Sequence, residues 1–298
     1  NHGVKRSLFA SPYTLWMILF TVLPCILVAY YAFTDANGAF TLDNFRHFWD
    51  SNYTKNQLYA QMGPEAAAFI SRGTVNVDTL VYSLWMAFLC TLISLLLGYP
   101  AALYMADRNM KIGSTIVVLF IIPMWMNFLL RTIAWMSLLE DQGLINNFLR
   151  LLGFEGVQLM YNSGAVLLGM VYNFLPFMIL PIFSVIEKLD RRYIEAAQDL
   201  GAGKLQVFRR VIFPLSVPGV ISGIMMVFIP SISTFAISKL LGGGMSFLLG
   251  DLIEMQFLGS AYNPHLGSAI SLMMLLLVII AMLIMNRFGD GEEGAVMM

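Results

Sequence analysis

Six stretches of the chain are apolar almost without interruption: 12–34, 79–105, 114–138, 164–186, 211–237 and 266–286. A bilayer core of about 30 Å is crossed by about 20 residues of α-helix, so each stretch predicts one membrane-spanning helix. The runs are continuous rather than alternating, which favours helices over the ten-residue strands of a membrane barrel. The fold class expected is therefore all-α, an integral membrane protein of six transmembrane helices forming a single domain over 1–298. Pro176 and Pro181 in the fourth stretch, and Pro218 and Pro230 in the fifth, predict kinks, because proline removes a backbone donor and crowds the preceding turn.

The polar segments carry their own patterns. The turn-rich stretch from Asp35 to Asp78 is long for a simple connection and predicts short helices of an outer loop. Within 139–162, Leu144, Ile145, Phe148, Leu149, Leu151 and Leu152 predict an amphipathic helix at the membrane interface, and Leu248 to Leu258 reads the same way. Gly242-Gly243-Gly244 reads as a flexible outer loop or hinge. Lys5 and Arg6 precede the first stretch in the manner of a signal peptide. That stretch is long enough to span, and Ala29-Tyr30-Tyr31-Ala32 is a poor cleavage site, so it is expected to be an uncleaved first helix.

Composition agrees with this picture. Of 298 residues 58% are hydrophobic and 12% charged, with a mean hydropathy of +0.74, which excludes a soluble domain. Lys5, Arg6, Arg108, Lys111, Lys188, Arg191, Arg192, Lys204, Arg209, Arg210 and Arg287 gather on one set of helix ends. Arg46, Lys55, Arg72, Arg150 and Lys239 lie on the other. The positive-inside rule then places both termini and the 187–210 loop in the cytoplasm. The opposite loops hold ten acids (Asp35, Asp43, Asp50, Glu65, Asp78, Glu140, Asp141, Glu155, Asp251 and Glu254) against five bases, a face that attracts polycations unless the acids only solvate the loops.

Several chemistries are excluded. Cys25 and Cys90 both fall within spans, and His2, His47 and His265 are scattered, so no disulfide framework or metal site is expected. The 21 methionines are spread over several spans rather than paired into a metal ladder. No basic-aromatic surface points to nucleic acid, and no cluster at membrane depth points to an enzyme. Gly203-Lys204 fails as a phosphate loop, since Leu205 stands where Ser or Thr would hold Mg²⁺ and Gln198 where the first Gly would be. No Asp or Glu lies deep in a span, which disfavours a proton-coupled secondary transporter.

One polar island carries a spaced motif: Glu195-Ala196-Ala197, three residues, Gly201, nine residues, then Val211-x-Phe213-Pro214. Ala196 and Ala197 favour helix and let a partner approach closely, and Gly201 suits a turn with left-handed backbone angles. This island resembles the EAA loop of permease subunits in binding-protein-dependent ABC importers, with Val211 for Ile and Phe213 for Leu. Leu97-Gly98-Tyr99-Pro100, Pro123-Met124-Trp125-Met126-Asn127 with Arg131, Tyr172-Asn173-Phe174-Leu175-Pro176-Phe177-Met178, and Ile186-Glu187-Lys188-Leu189-Asp190 extend the likeness over about residues 12–288, toward the permeases of spermidine/putrescine importers.

The resemblance implies a type I ABC importer permease fold in a bacterial cytoplasmic membrane. Its coupling helix lies in 190–205, with Glu195, Ala196, Ala197, Asp199, Leu200, Gly201 and Ala202 facing an ATPase. It further implies a second, homologous permease, two ATPase subunits holding ATP and Mg²⁺, and an extracytoplasmic binding protein. This chain would bind no cofactor itself. A polyamine is the expected solute, with ferric iron or another small solute as the alternative. Tyr172, Asn173, Ser231, Ser233, Thr234 and Phe235 are candidates to line the path, since aromatic faces attract ammonium and hydroxyls replace water, although helix packing uses the same residues. Asp251 and Glu254 share one helix face and are candidates to guide an amine or dock the binding protein. Arg131, a cation within a span, is expected to be structural or gating, near the outer interface or paired with a partner's carboxylate.

Overall fold

The computed structural model describes residues 12–50, 53–54, 56, 76–106, 119–120, 122–244, 246–259 and 262–289. Among these residues five helices are long and apolar enough to cross a membrane: α1 (Pro12–Ala32), α3 (Val77–Ala106), α6 (Ser163–Glu187), α8 (Lys204–Ser233) and α11 (Pro264–Gly289, apolar over Pro264–Met285). Shorter helices lie between them: α2 (Asp43–Trp49), α4 (Phe128–Leu139), α5 (Leu144–Leu151), α7 (Arg191–Asp199), α9 (Ala236–Gly242) and α10 (Leu249–Leu258). The predicted third span, 114–138, begins outside the described residues. Where it is described it is not one helix, for the chain leaves helical geometry at Met126–Asn127 before α4 starts. Asn127 caps α4, its side chain accepting the Leu129 amide at 2.8 Å. The fifth span also differs from its prediction, ending at Ser233 and resuming after Thr234 and Phe235 as α9.

The prolines act in two ways. Pro176 and Pro181 lie inside α6, and Pro218 and Pro230 inside α8, without ending either helix. Pro24 and Pro214 are each preceded by a π-turn, Ile18–Val22 and Phe208–Ile212, in which the amide of the next residue reaches back five positions, Leu23 to Ile18 and Phe213 to Phe208. A proline ring clashes with the carbonyl four residues earlier, and the wider turn moves that carbonyl away.

The described chain falls into two compact units. The first joins the segment through Thr79 to Leu252–Val278. There α1 is exposed along nearly its whole length, and the loop after it is folded. Buried Asn44 donates to the Ala32 and Thr34 carbonyls at 3.0 Å each, and Asn76 donates to the Phe48 carbonyl at 3.1 Å and to Thr54 at 2.8 Å. His47 stacks on Tyr53, and His265 Nδ1 lies 3.1 Å from the Tyr31 carbonyl. The predicted short helix of the 35–78 loop is present as α2, and residues 57–75 lie outside the described set. Asp35 closes a turn by accepting the Ala39 and Asn37 amides at 2.9 Å each. The Ala39 bond, assisted by that of Asn37, holds the Asp35 carboxyl below its ordinary range.

The second unit holds the main apolar core, built on α3, α6 and α8. Glycines set its closest approaches. A Cβ at Gly219 of α8 would stand 2.9 Å from the Pro181 carbonyl oxygen, and one at Gly223 would stand 2.8 Å from Met178 sulfur. Gly98 of α3 faces Met178 and Ile179 of α6 at 3.1 and 3.2 Å on the same construction. Small residues let membrane helices gain dispersion contact that lipid would otherwise supply. At the other end of α6, Gly169 faces Ile237 and Leu241 of α9, and Tyr161 donates its amide to the Leu241 carbonyl at 2.9 Å. Methionines serve both environments, with Met86, Met170 and Met178 buried and Met226 and Met282 uncovered.

The two stretches read as interfacial amphipathic helices part company. α5 keeps an uncovered apolar face of Leu144, Phe148 and Leu151, as predicted. α10 is instead enclosed: Leu248, Leu249 and Leu252 are buried, and so are Asp251 and Gln256 on its polar side. Its start is fixed by the Leu249 amide donating to Ser83 at 2.7 Å, while Gly250 packs against the Ser233 and Thr234 carbonyls.

Candidate functional site

The 188–207 segment forms the helix, turn and helix that Ala196, Ala197 and Gly201 favour. Asp190 caps α7 by accepting the Arg192 amide at 3.0 Å. The helix ends in a paired closure, with the Gly201 amide donating to the Gln198 carbonyl at 2.8 Å and the Ala202 amide to the Ala197 carbonyl at 3.0 Å. This geometry requires a left-handed residue after the cap, and Gly201 supplies it at φ +84°. Gly203 then starts the next helix, its amide bonded to Gln206 Oε1 at 3.0 Å.

Ile194, Ala197 and Ala202 are half-buried, while Glu195, Ala196, Asp199, Leu200 and Gly201 face outward. Leu200 is 89% exposed and Leu205 69%, with Tyr193 also uncovered. The helix thus presents small, apolar and charged side chains together on an exposed face.

The path candidates divide by burial. Asn173 is buried, donating Nδ2 to the Gly169 carbonyl at 2.9 Å, while its Oδ1 has no hydrogen-bond partner among the described residues. Ser231 is buried and bonds the Val227 carbonyl at 2.6 Å, with Cys90 sulfur at 3.6 Å. Ser233 is half-buried, lying 3.4 Å from the Ile229 and Pro230 carbonyls, and Thr234 is nearly buried at the end of α8. Such serines, bonding back to carbonyls of their own helix, bend it slightly. Tyr172 and Phe235 are exposed instead. Tyr172 meets Trp135 of α4 edge to face, with ring centroids 5.3 Å apart, a pairing between two helices that no local pattern announces.

Asp251 does not stand on a solvated face. It is buried, and its carboxylate accepts the Leu248 amide at 2.8 Å, fastening the start of α10. Glu254 is half-buried on the same helix. Arg131 lies in the first turn of α4, half-buried, with its Nε enclosed and without a hydrogen-bond partner among the described residues. No group of three or more His, Cys, Asp or Glu able to hold a metal occurs among the described residues.

Long apolar helices with an exposed helix and turn between α6 and α8 are the setting in which the relatives of this chain place it among membrane permeases. Residues 94–291 match the family described as binding-protein-dependent transport system inner membrane component, and the chain belongs to that family. It is 35% identical over 280 residues to the spermidine/putrescine transport system permease protein PotB of Escherichia coli K12, covering 91% of this chain and 93% of the relative. The PotB protein of Haemophilus influenzae is 36% identical over 278 residues, covering 91% and 90%. Among solved structures, a chain of a bacterial ABC transporter importing alginate superposes with a TM-score of 0.77 at 16% identity, covering 97% of each chain. A chain of the MetNI methionine ABC transporter gives 0.52 at 17% identity, covering 72% of this chain and 94% of the other. The fold is that of an ABC importer permease.

Proposed function

We propose that this permease carries polyamines, spermidine or putrescine, as one of two permease subunits in an ATP-driven importer. The identity to PotB proteins over nine-tenths of the chain is the observation that carries this reading. The acid excess on the loops opposite the 187–210 segment supports it, since a negative mouth concentrates polycations. Both termini and the 190–205 loop face the cytoplasm, where a separate ATPase holds ATP and Mg²⁺ and receives Glu195, Ala196, Asp199 and Leu200. A binding protein delivers solute to the opposite face.

In this mechanism, closure of two ATPase subunits draws the α7 helices together and tilts α6 and α8, which flank the loop. The glycine contacts between α6 and α8 support their movement as one body, opening the path outward. ATP hydrolysis resets it. Exposed Tyr172 and Phe235 line the path and meet ammonium groups with their ring faces, while buried Asn173 and Ser231, each bonded to a carbonyl of its own helix, stand away from it. Arg131, with its enclosed Nε, pairs with a carboxylate of the second permease.

The test is uptake of radiolabelled spermidine into proteoliposomes that hold this chain, its co-encoded permease and ATPase, with ATP inside and binding protein outside. Uptake requiring both ATP and binding protein is expected. A complex whose ATP hydrolysis is stimulated by another solute, and not by spermidine or putrescine, would overturn the polyamine assignment and leave the importer standing.

A further inference from the structure

We propose that Tyr99 is a positioning residue for coupling: it clamps the last two turns of α3 to the π-turn Phe208–Ile212 near the start of α8, so that displacing the 190–205 loop moves both helices. The inference rests on the importer reading and extends it to a spanning helix outside the EAA island. Tyr99 is buried one residue before Pro100, and its hydroxyl lies 2.6 Å from the buried Ser216 Oγ, 117 residues away. Ser216 Oγ also lies 2.9 Å from the Phe213 carbonyl, which can only accept. The single Ser216 proton goes there, so the Tyr99 hydroxyl donates to Ser216. The relay ends on the residue that follows the π-turn.

The Tyr99 ring reaches the same turn at both ends. Its centroid is 5.9 Å from Phe208, nearly perpendicular, and 5.9 Å from Phe213, while the two phenylalanines stand 6.2 Å apart. Phe208 and Phe213 are the residues whose carbonyl and amide close the turn. Beside Tyr99, Gly98 lets α3 pack closely against Met178 and Ile179 of α6. Arg209 and Arg210, within the turn, are exposed. The turn is thus gripped on one side and open on the other, as a lever fixed to its load would be.

The experiment uses the whole reconstituted importer with Tyr99→Phe, Ser216→Ala and the double variant, and spermidine as the probe. Each single variant should assemble and hydrolyse ATP at the basal rate, yet lose uptake per ATP by about two- to ten-fold, the range that one buried hydrogen bond sets. The double variant should lose no more than either single one, as expected for two groups sharing one bond. Spin labels at Leu96 and Arg210, in a Cys25→Ser background, add a readout that needs no transported solute. Their distance should stay narrowly distributed on ATP binding in the parent and broaden in Tyr99→Phe. An unchanged distribution with unchanged uptake per ATP, or losses that multiply in the double variant, would overturn the clamp. If the parent hydrolyses ATP without taking up spermidine, the solute assignment fails while the labels still decide the role of Tyr99.

Discussion

Gly201 and Gly219 are both essential to local geometry, for opposite reasons. At Gly201 a side chain would meet nothing within 4 Å, and only the left-handed backbone asks for glycine. At Gly219 the backbone is ordinary helix, and a side chain would drive into the Pro181 carbonyl and the Ile182 backbone. The first glycine shapes the exposed turn proposed to meet an ATPase, and the second removes bulk so that two membrane helices can touch. An exposed turn is specified by the backbone angles it needs, whereas a helix contact is specified by the bulk it leaves out.

The largest expected effect comes from filling the buried contact. Gly219→Leu should separate α6 from α8 and lower the yield and thermal stability of the inserted chain, since overpacking a tight core costs about 1–3 kcal/mol or more. Wild-type melting in detergent would break the comparison. Next comes the exposed surface: Glu195→Arg and Gly201→Val should leave insertion and melting near the parent while uptake falls more than about tenfold, a change of at least 1.4 kcal/mol in coupling. Normal uptake in both would remove 190–205 from the coupling machinery.

A smaller difference is expected between neighbours on α6. Tyr172→Ala should weaken spermidine uptake by a few-fold, as loss of a cation–π contact of about 0.5–2 kcal/mol requires. Asn173→Leu, which replaces a buried amide with an unpartnered oxygen, should keep uptake near the parent. The reverse ranking, read as initial rates at limiting spermidine, would mean that burial within one chain does not mark the path.

The smallest effect belongs to a turn closed by a carboxylate rather than by a glycine. The folded Asp35 carboxyl titrates below its unfolded value, so its contribution is complete above the ordinary aspartate range and fades as pH falls through the folded value. Amide exchange protection at Ala39 should drop there and become independent of pH in Asp35→Asn.

The helices were legible because bilayer thickness leaves a long apolar run little choice, and α6 begins and ends one residue from its prediction. The 195–201 geometry was legible too, since a helix-ending glycine acts through its own backbone. The breaks at Met126–Asn127 and Thr234–Phe235 were not, because an apolar run with one polar residue reads the same whether the helix continues or restarts under a cap. The burial of α10 was hidden for a related reason. A polar stripe that faces water and one that meets protein amides, as Asp251 does with Leu248, have one pattern in sequence. Likewise Trp135 against Tyr172 and Tyr99 against Ser216 are pairings between distant helices, which composition and spacing cannot announce.

The two π-turns share a spacing, each ending two residues before a proline. A wide turn takes in one residue more than the α-helix around it, so every residue beyond it is turned back by about 100° and set back by about 1.5 Å relative to its place in an unbroken helix. Phe208–Ile212 therefore absorbs one residue between the 190–203 segment and the membrane-spanning body of α8. Losing one residue here, together with the proline, would restore plain α-helix and leave both ends at nearly the same angle, so the extra residue and the proline can be gained or lost as a pair while the membrane core and the aim of the loop stay as they are.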